Sequence, residues 1–251
     1  MQWGPSSLDV ILLILFGIFC VGGLVFWKMN VFSKYKRIVV SGLVLTLGMI
    51  FMRGFIFEFF TVPSESMAPT VLESDVLMVR KFSYNLRVPI TRDVIKKVSS
   101  PSRGDIVVFY LPEDTSFYYL KRVMAIPGDE VFIKDNQVYV NGKSTFIEAT
   151  SLKFEDTRGG EHSLGRLKEK NNIQGVSFYT LKPTSLEENK FWIIPPGKFL
   201  AMGDNRGLSR DSREFGLVSE SWLIGKATRV AFNKEGLDRW LQSYYVAPSN
   251  F

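Results

Sequence analysis

Ser66 and Lys121 are the two side chains whose types and settings suggest covalent chemistry. Ser66 stands in "SESMAPTVLESDVLMV" (64–79), beside Met67 and shortly before Pro69, just beyond a very apolar N-terminal region. A serine so placed belongs either to an ordinary turn or to a presented nucleophile, and a nucleophile needs a base within hydrogen-bond reach. The only histidine, His162, lies in polar, glycine-rich "GGEHSLG", which offers no frame for a catalytic imidazole and reads as surface. Carboxylates are weak bases for activating a serine. Lys121, in "SFYYLKRVMAIPGDEV" (116–131), is left. Strand alternation puts Tyr119, Lys121 and Val123 on one face and Leu120 and Arg122 on the other. Either one of the two adjacent cations is turned inward, or both are solvent-facing charges on an edge strand. An apolar site disfavours the ammonium form, and a fall in pKa from ~10.4 to ~8 amounts to roughly 3 kcal/mol, which burial can supply. The neutral amine would then take the serine proton, a known variant of triad chemistry.

The elements that must position this pair begin with two apolar segments. Val10 to Trp27 carries no charge and, at ~1.5 Å per residue, spans roughly 27 Å, near the thickness of a bilayer core. Residues 1–9 hold Asp9 and neither Lys nor Arg, so a retained span is expected rather than a cleaved leader. Lys28, Lys34, Lys36 and Arg37 follow in the stretch 28–37, and a second span is expected over about 38–57, prolonged to an interface by Phe55, Ile56, Phe57, Phe59 and Phe60. The positive-inside rule places the basic loop in the cytoplasm and everything after Phe60 outside. Residues 1–60 thus read as a membrane anchor of two transmembrane helices, with Ser66 emerging at the outer surface.

Beyond residue 70 the period is mostly two. "DVLMVRKF", "GDIVVFYL", "FYYLKRVMAI", "DEVFIKDNQVYVNGK" and "FWIIPPGKFLAMGD" are short apolar or aromatic runs bounded by turn residues, including Asn141-Gly142. The fold class expected is mainly β: an antiparallel catalytic domain of residues 61–130 plus 195–233, with a smaller β-rich subdomain (131–194) inserted. Within that subdomain, 148–190 is polar and short of apolar period. Residues 234–251 read as an amphipathic segment, with Leu237, Trp240, Leu241, Tyr244 and Tyr245 at helical spacing. The lone Cys20 allows no internal disulfide and, with a single histidine, argues against a transition-metal centre. A net charge of +6 without a dense basic block argues against nucleic acid as a partner. "RGDIVVF" reads as a turn entering a strand, and "GDNRGLSRD" fails the calcium-loop pattern because Arg206 and Gly207 stand where ligands should.

Four segments together resemble the type I signal peptidase (leader peptidase) family: "PSESMAPT" (63–70), "RGDIVVF" (103–109), "YLKRVMAIPGDEV" (119–131) and "MGDNRGLSRDSREFGLV" (202–218), the last followed by "LIGKA" (223–227). The resemblance implies Ser66 as nucleophile, Lys121 as general base, and an oxyanion hole from the Ser64 hydroxyl and the Ser66 N–H. It implies that Ser209 orients the Lys121 amine, that Asp211 and Arg213 pair to fix that loop, and that Met67 packs beside the nucleophile. Phe60, Val62, Leu77, Val108 and Leu120 would line shallow pockets for small side chains; ordinary core packing explains such residues equally well. The implied substrates are secretory preproteins at the outer face of a bacterial inner (cytoplasmic) membrane, cut through an acyl-enzyme that Lys121-activated water resolves, with no metal or organic cofactor. Two other readings remain: a self-cleaving repressor-type Ser–Lys protease, which the apolar segments oppose, and an inactive membrane-anchored β-domain that only binds exported chains.

Overall fold

Period-two runs dominate the sequence beyond residue 57, and the structure, a computed structural model, folds them into antiparallel sheets. It describes residues 17–18, 20–21, 32–52, 56–88, 93–134, 137–154, 166–182 and 189–232. The expected first span therefore lies almost wholly outside the described residues, as do His162 and the expected amphipathic segment 234–251.

Helix α1 (Phe32–Phe51) takes in Lys34, Lys36 and Arg37 together with the apolar run that follows. It starts inside the stretch read as a loop and stops short of Phe57. Among the described residues no helix is long and apolar enough to cross a membrane. Of the aromatic residues expected to prolong a span, Phe57, Phe59 and Phe60 instead lie in β1 (Phe57–Thr61). They alternate, with Phe59 exposed and Phe60 buried, and β2 (Val76–Arg80) offers a partner that sets Phe60 opposite Leu77.

The remaining strands are β3 (Asn85–Arg87), β4 (Val94–Lys97), β5 (Ile106–Leu111), β6 (Asp114–Ala125), β7 (Glu130–Lys134), β8 (Gln137–Val140), β9 (Lys143–Ser144), β10 (Phe146–Phe154), β11 (Arg166–Ile173), β12 (Val176–Leu181), β13 (Lys190–Ile193) and β14 (Lys198–Met202), then helix α2 (Ser212–Phe215), β15 (Val218–Ser219) and β16 (Leu223–Phe232). The largest sheet runs β1-β2-β16-β5-β6-β14-β15; smaller ones run β13-β7-β8-β9, β10-β11-β12 and β3-β4. Strand β5 is buried along almost its whole length because β16 and β6 flank it and apolar clusters cover both faces. That is why "IVVFYL" reads as a continuous apolar run. The Asn141-Gly142 turn joins β8 to β9 with positive φ at both residues (52° and 75°), as a two-residue hairpin loop demands.

The described parts of the polar stretch 148–190 are built mostly into strands whose interior is partly polar. Buried Asn171 donates to the Thr180 hydroxyl at 2.8 Å and receives the Thr145 hydroxyl at 3.3 Å, so these residues satisfy one another inside the sheet. The last strand of this sheet reaches back to the rest of the fold. Val176 packs against Gly104, whose φ of +88° and lack of a Cβ admit it. Leu181, fully buried, packs with Ala68 and Leu72 and donates its N–H to the Asp204 carbonyl at 2.9 Å. Because this contact joins distant segments, Leu181→Ala is expected to destabilise the protein by about 2–5 kcal/mol, read as a lowered urea or thermal midpoint.

Candidate active site

The chain between β1 and β2 closes on itself and holds Ser66 at its crown. The Val62 N–H donates to the Asp75 carbonyl at 2.8 Å, the Leu72 N–H to the Asp75 carboxylate at 2.8 Å, and the Ala68 N–H to the Glu65 carbonyl at 2.9 Å. Met67 and Ala68 are fully buried beneath it. Ser66 is therefore carried by a short loop with an apolar underside, anchored to the edge of the large sheet.

Strand β6 delivers Lys121. Opposite Val107 in the β5 ladder, its side chain is 4% exposed, and its amine lies 2.7 Å from Ser66 Oγ, to which it donates. The Ser64 hydroxyl donates to the same oxygen at 3.4 Å. Burial drives the Lys121 pKa down to about 8; the negative charges of Asp211 and Asp204 oppose that fall and Arg213 reinforces it. The sequence posed a choice between one inward cation and two exposed ones. In the structure both are inside, on opposite faces of β6. Arg122, 1% exposed, keeps its charge by donating two hydrogen bonds to Asp204 (2.8 and 2.6 Å) and one to the Gly104 carbonyl (2.9 Å), with its guanidinium 4.3 Å from the centroid of the Phe178 ring.

Residues 203–213 close the site from the other side. The fully buried Asp211 carboxylate receives the Gly203 N–H and the Ser209 hydroxyl, each at 2.8 Å, and the Arg213 guanidinium at 2.8 Å through both of its oxygens. Burial pushes this carboxyl up, but Arg213, the Gly203 N–H and the Ser209 hydroxyl together hold it below the usual carboxylate range. Arg213 also donates to the Arg206 carbonyl at 2.7 Å. The expected hydroxyl contact differs: the Ser209 hydroxyl donates to Asp211, while the Lys121 amine donates to Ser66. The Asp211–Arg213 pair forms as expected.

Phe60, Val62, Leu77, Val108 and Leu120 gather, with Met67, in one apolar cluster next to the pair. They are 0–8% exposed, so they form a continuous apolar floor. Three residues with a clear place in the geometry were passed over in the sequence. Gly203 has no room for a side chain, since a Cβ there would overlap the Ser209 side chain and the Ser66 carbonyl. Asp204 ties Arg122 to the Thr70 hydroxyl, 2.5 Å away. Asn205 bonds the Glu65 and Ser66 carbonyls, on either side of the Ser66 side chain. The only advance signal for them was their place in the 202–218 segment.

The arrangement is a hydroxyl touching a dehydrated amine, with main-chain and hydroxyl donors beside it. The family model described as "Signal peptidase, peptidase S26" matches residues 35–232. The chain is 30% identical over 236 residues to signal peptidase I of Buchnera aphidicola subsp. Acyrthosiphon pisum, covering 79% of this chain and 75% of that one. It is 32% identical over 222 residues to signal peptidase I of Rickettsia typhi (80% and 79% covered), and 34% identical over 191 residues to that of Pseudomonas aeruginosa (71% and 66% covered). A crystal structure of a signal peptidase I from Enterococcus faecalis overlaps 53% of this chain and all of that one at 27% identity, with a TM-score of 0.31, too low to bear on the architecture. The chain belongs to the signal peptidase family, peptidase S26, and is accordingly a hydrolase of peptide bonds.

The buried amine carries a stability cost whose sign is fixed by its titration. Folding lowers its pKa from 10.5 to about 8. Below about 8 both folded and unfolded chains hold the proton, and the dehydrated charge burdens the folded state; between the two values only the unfolded chain holds it, so the burden fades as pH rises. Lys121→Met is expected to raise unfolding stability by about 2–3 kcal/mol near neutral pH. The gain over the native protein should shrink as urea titrations move from about pH 7 to about pH 10.

Proposed function

We propose that this protein is a membrane-anchored serine endopeptidase that removes N-terminal signal peptides from exported preproteins, with Ser66 as nucleophile and Lys121 as general base. The observation that carries the reading is the 2.7 Å contact between the buried amine and Ser66 Oγ. With the amine neutral the bond reverses, and the Ser66 O–H donates to Nζ. Ser66 Oγ then attacks the scissile carbonyl while its proton passes to Lys121. The oxyanion is met by the Ser66 N–H and the Ser64 hydroxyl, a kind of stabilisation that typically contributes ~3 kcal/mol per donor. Lys121 returns the proton to the leaving amine, so the mature chain departs first. Water, deprotonated by Lys121, then frees the signal peptide from Ser66. Asp211 and Arg213 hold the loop in place and set the field at the amine, and Ser209 contributes through Asp211.

The relatives named above are signal peptidases I of bacteria. That supports preproteins as substrates, with small residues near the cleavage site resting on the floor of Phe60, Val62, Leu77, Val108 and Leu120, and Met67 beneath the nucleophile. The extended segment would add as a strand beside residues 60–64 and β6. Placement at the outer face of a bacterial inner membrane, on two N-terminal spans with the catalytic domain 61–130 plus 195–233 outside, draws on the basic stretch 28–37. The strand register agrees with a lipid neighbour. Phe57, Phe59, Met78, Val76 and Phe232 share the outer face of β1, β2 and β16 with Arg80 and Arg229, and Phe59 and Phe232 are 43% and 70% exposed.

Incubating the detergent-solubilised protein with a preprotein should yield a shorter product. Ser66→Ala and Lys121→Ala should each lower that cleavage by about 10³-fold or more with the fold retained; full activity in either removes the dyad. In the native protein the cleavage rate should climb as pH rises through about 8, where Lys121 loses its proton. A limb near pH ~6.5 that disappears in His162→Ala would transfer the base role to histidine.

A further inference from the structure

Asn205 is fully buried, and its polar groups are directed at the main chain flanking Ser66. Its side-chain amide donates to the Glu65 carbonyl at 3.1 Å, and its backbone N–H donates to the Ser66 carbonyl at 3.1 Å. The Glu65 carbonyl also receives the Ala68 N–H at 2.9 Å, so its direction is set from two sides. The Glu65–Ser66 peptide is trans. Across a trans peptide the carbonyl and the following N–H point in opposite directions. Fixing the Glu65 carbonyl therefore aims the Ser66 N–H, and no acceptor among the described residues takes that N–H.

Asn205 is itself held. Leu181 forms a parallel bridge with it, and the Leu181 N–H donates to the carbonyl of Asp204 immediately before it. The Leu208 N–H donates to the Asn205 carbonyl at 3.1 Å. The Gly203 N–H is fixed on Asp211, and the absence of a Cβ at Gly203 lets this chain lie against the Ser66 carbonyl. The result is a rigid amide reaching across to the nucleophile loop from a separate segment.

We propose that Asn205 is a positioning residue that orients the Ser66 N–H toward the oxyanion formed in catalysis. The inference rests on Ser66 being the nucleophile of the reading above. It assigns Asn205 no contact with substrate, so its removal should leave ground-state binding intact and weaken only the transition state. Asn205→Asp keeps the size of the side chain, loses the donor and sets an acceptor against the Glu65 carbonyl; Asn205→Ser removes the amide that reaches that carbonyl, leaving a shorter hydroxyl, without adding a charge.

The test is steady-state cleavage of a preprotein by the full-length chain in detergent, alongside the native protein and Ser66→Ala. Both Asn205 variants should show kcat reduced by about ten- to hundredfold, KM changed by no more than about twofold, and an alkaline rise centred at the same pH as the native protein. A folded variant that keeps kcat within about threefold of native overturns the proposal. So does a loss carried mainly in KM, or a displaced pH midpoint, which would mark substrate binding or the lysine as the affected part. Loss of the folded state in both variants also overturns it, because Asn205 would then be a residue of folding. If Ser66→Ala retained activity, the parent reading would fail as well; an inactive Ser66→Ala beside a fully active Asn205→Ser removes this inference alone.

Discussion

A single dehydrated amine sets the terms for the rest of this structure. Lysine in water is a poor base near neutral pH because almost all of it is protonated. Burial on β6 changes that, and the neighbouring charges are arranged so as not to undo it. Asp211 and Asp204 would each pull the proton back, but both are already engaged, Asp211 by Arg213 and Asp204 by Arg122. An unpaired carboxylate in either position would raise the amine toward its ordinary value and leave it charged. The ion pairs matter here less for their own stability, which burial largely offsets, than for keeping the field at Lys121 nearly balanced.

Two adjacent cations on one strand show how partners decide the outcome of burial. Lys121 and Arg122 are about equally hidden, yet they play opposite roles. A guanidinium does not give up its proton under these conditions, so Arg122 is buried only with a forked carboxylate, a carbonyl and an aromatic face around it. An ammonium can lose its proton, so Lys121 is accommodated with a hydroxyl as its only hydrogen-bond partner among the described residues. The same strand thereby holds a dehydrated amine on one face and a structural tie on the other. That tie runs through Asp204 to Thr70, fastening β6 to the loop that carries Ser66.

The strand alternation that exposed this choice was readable in advance, and so were the β class, the hairpin at Asn141-Gly142 and the apolar set now gathered around Met67. The apolar set came from the resemblance; the others depend on a period or a turn type, which a sequence states locally. What escaped was of another kind. The end of helix α1 and the start of β1 were merged because apolar aromatics suit both a helix and a strand, and only the register with β2 separates them. The polar stretch 148–190 looked short of a core because its interior is partly hydrogen-bonded side chains. The resemblance put Ser209 on the lysine, whereas its hydroxyl donates to Asp211, a choice of neighbour that no local pattern states. Asp204 and Asn205 sit in a segment without periodicity, so their partners at Arg122 and Glu65 became visible only in three dimensions.

The position of the β10-β11-β12 sheet follows from the same economy. A catalytic loop bonded only to itself would gain its order at the expense of local backbone entropy. Here the order is borrowed from outside: Leu181 seals the apolar underside of the loop at Ala68 and Leu72, while Phe178 covers the guanidinium that anchors Asp204. Both residues belong to β12, so one strand supports the Ser66 loop directly and the 203–205 segment through its main chain. A sheet that supplied only bulk would need no such contacts. These place it among the elements that hold Ser66 and Lys121 at a fixed separation.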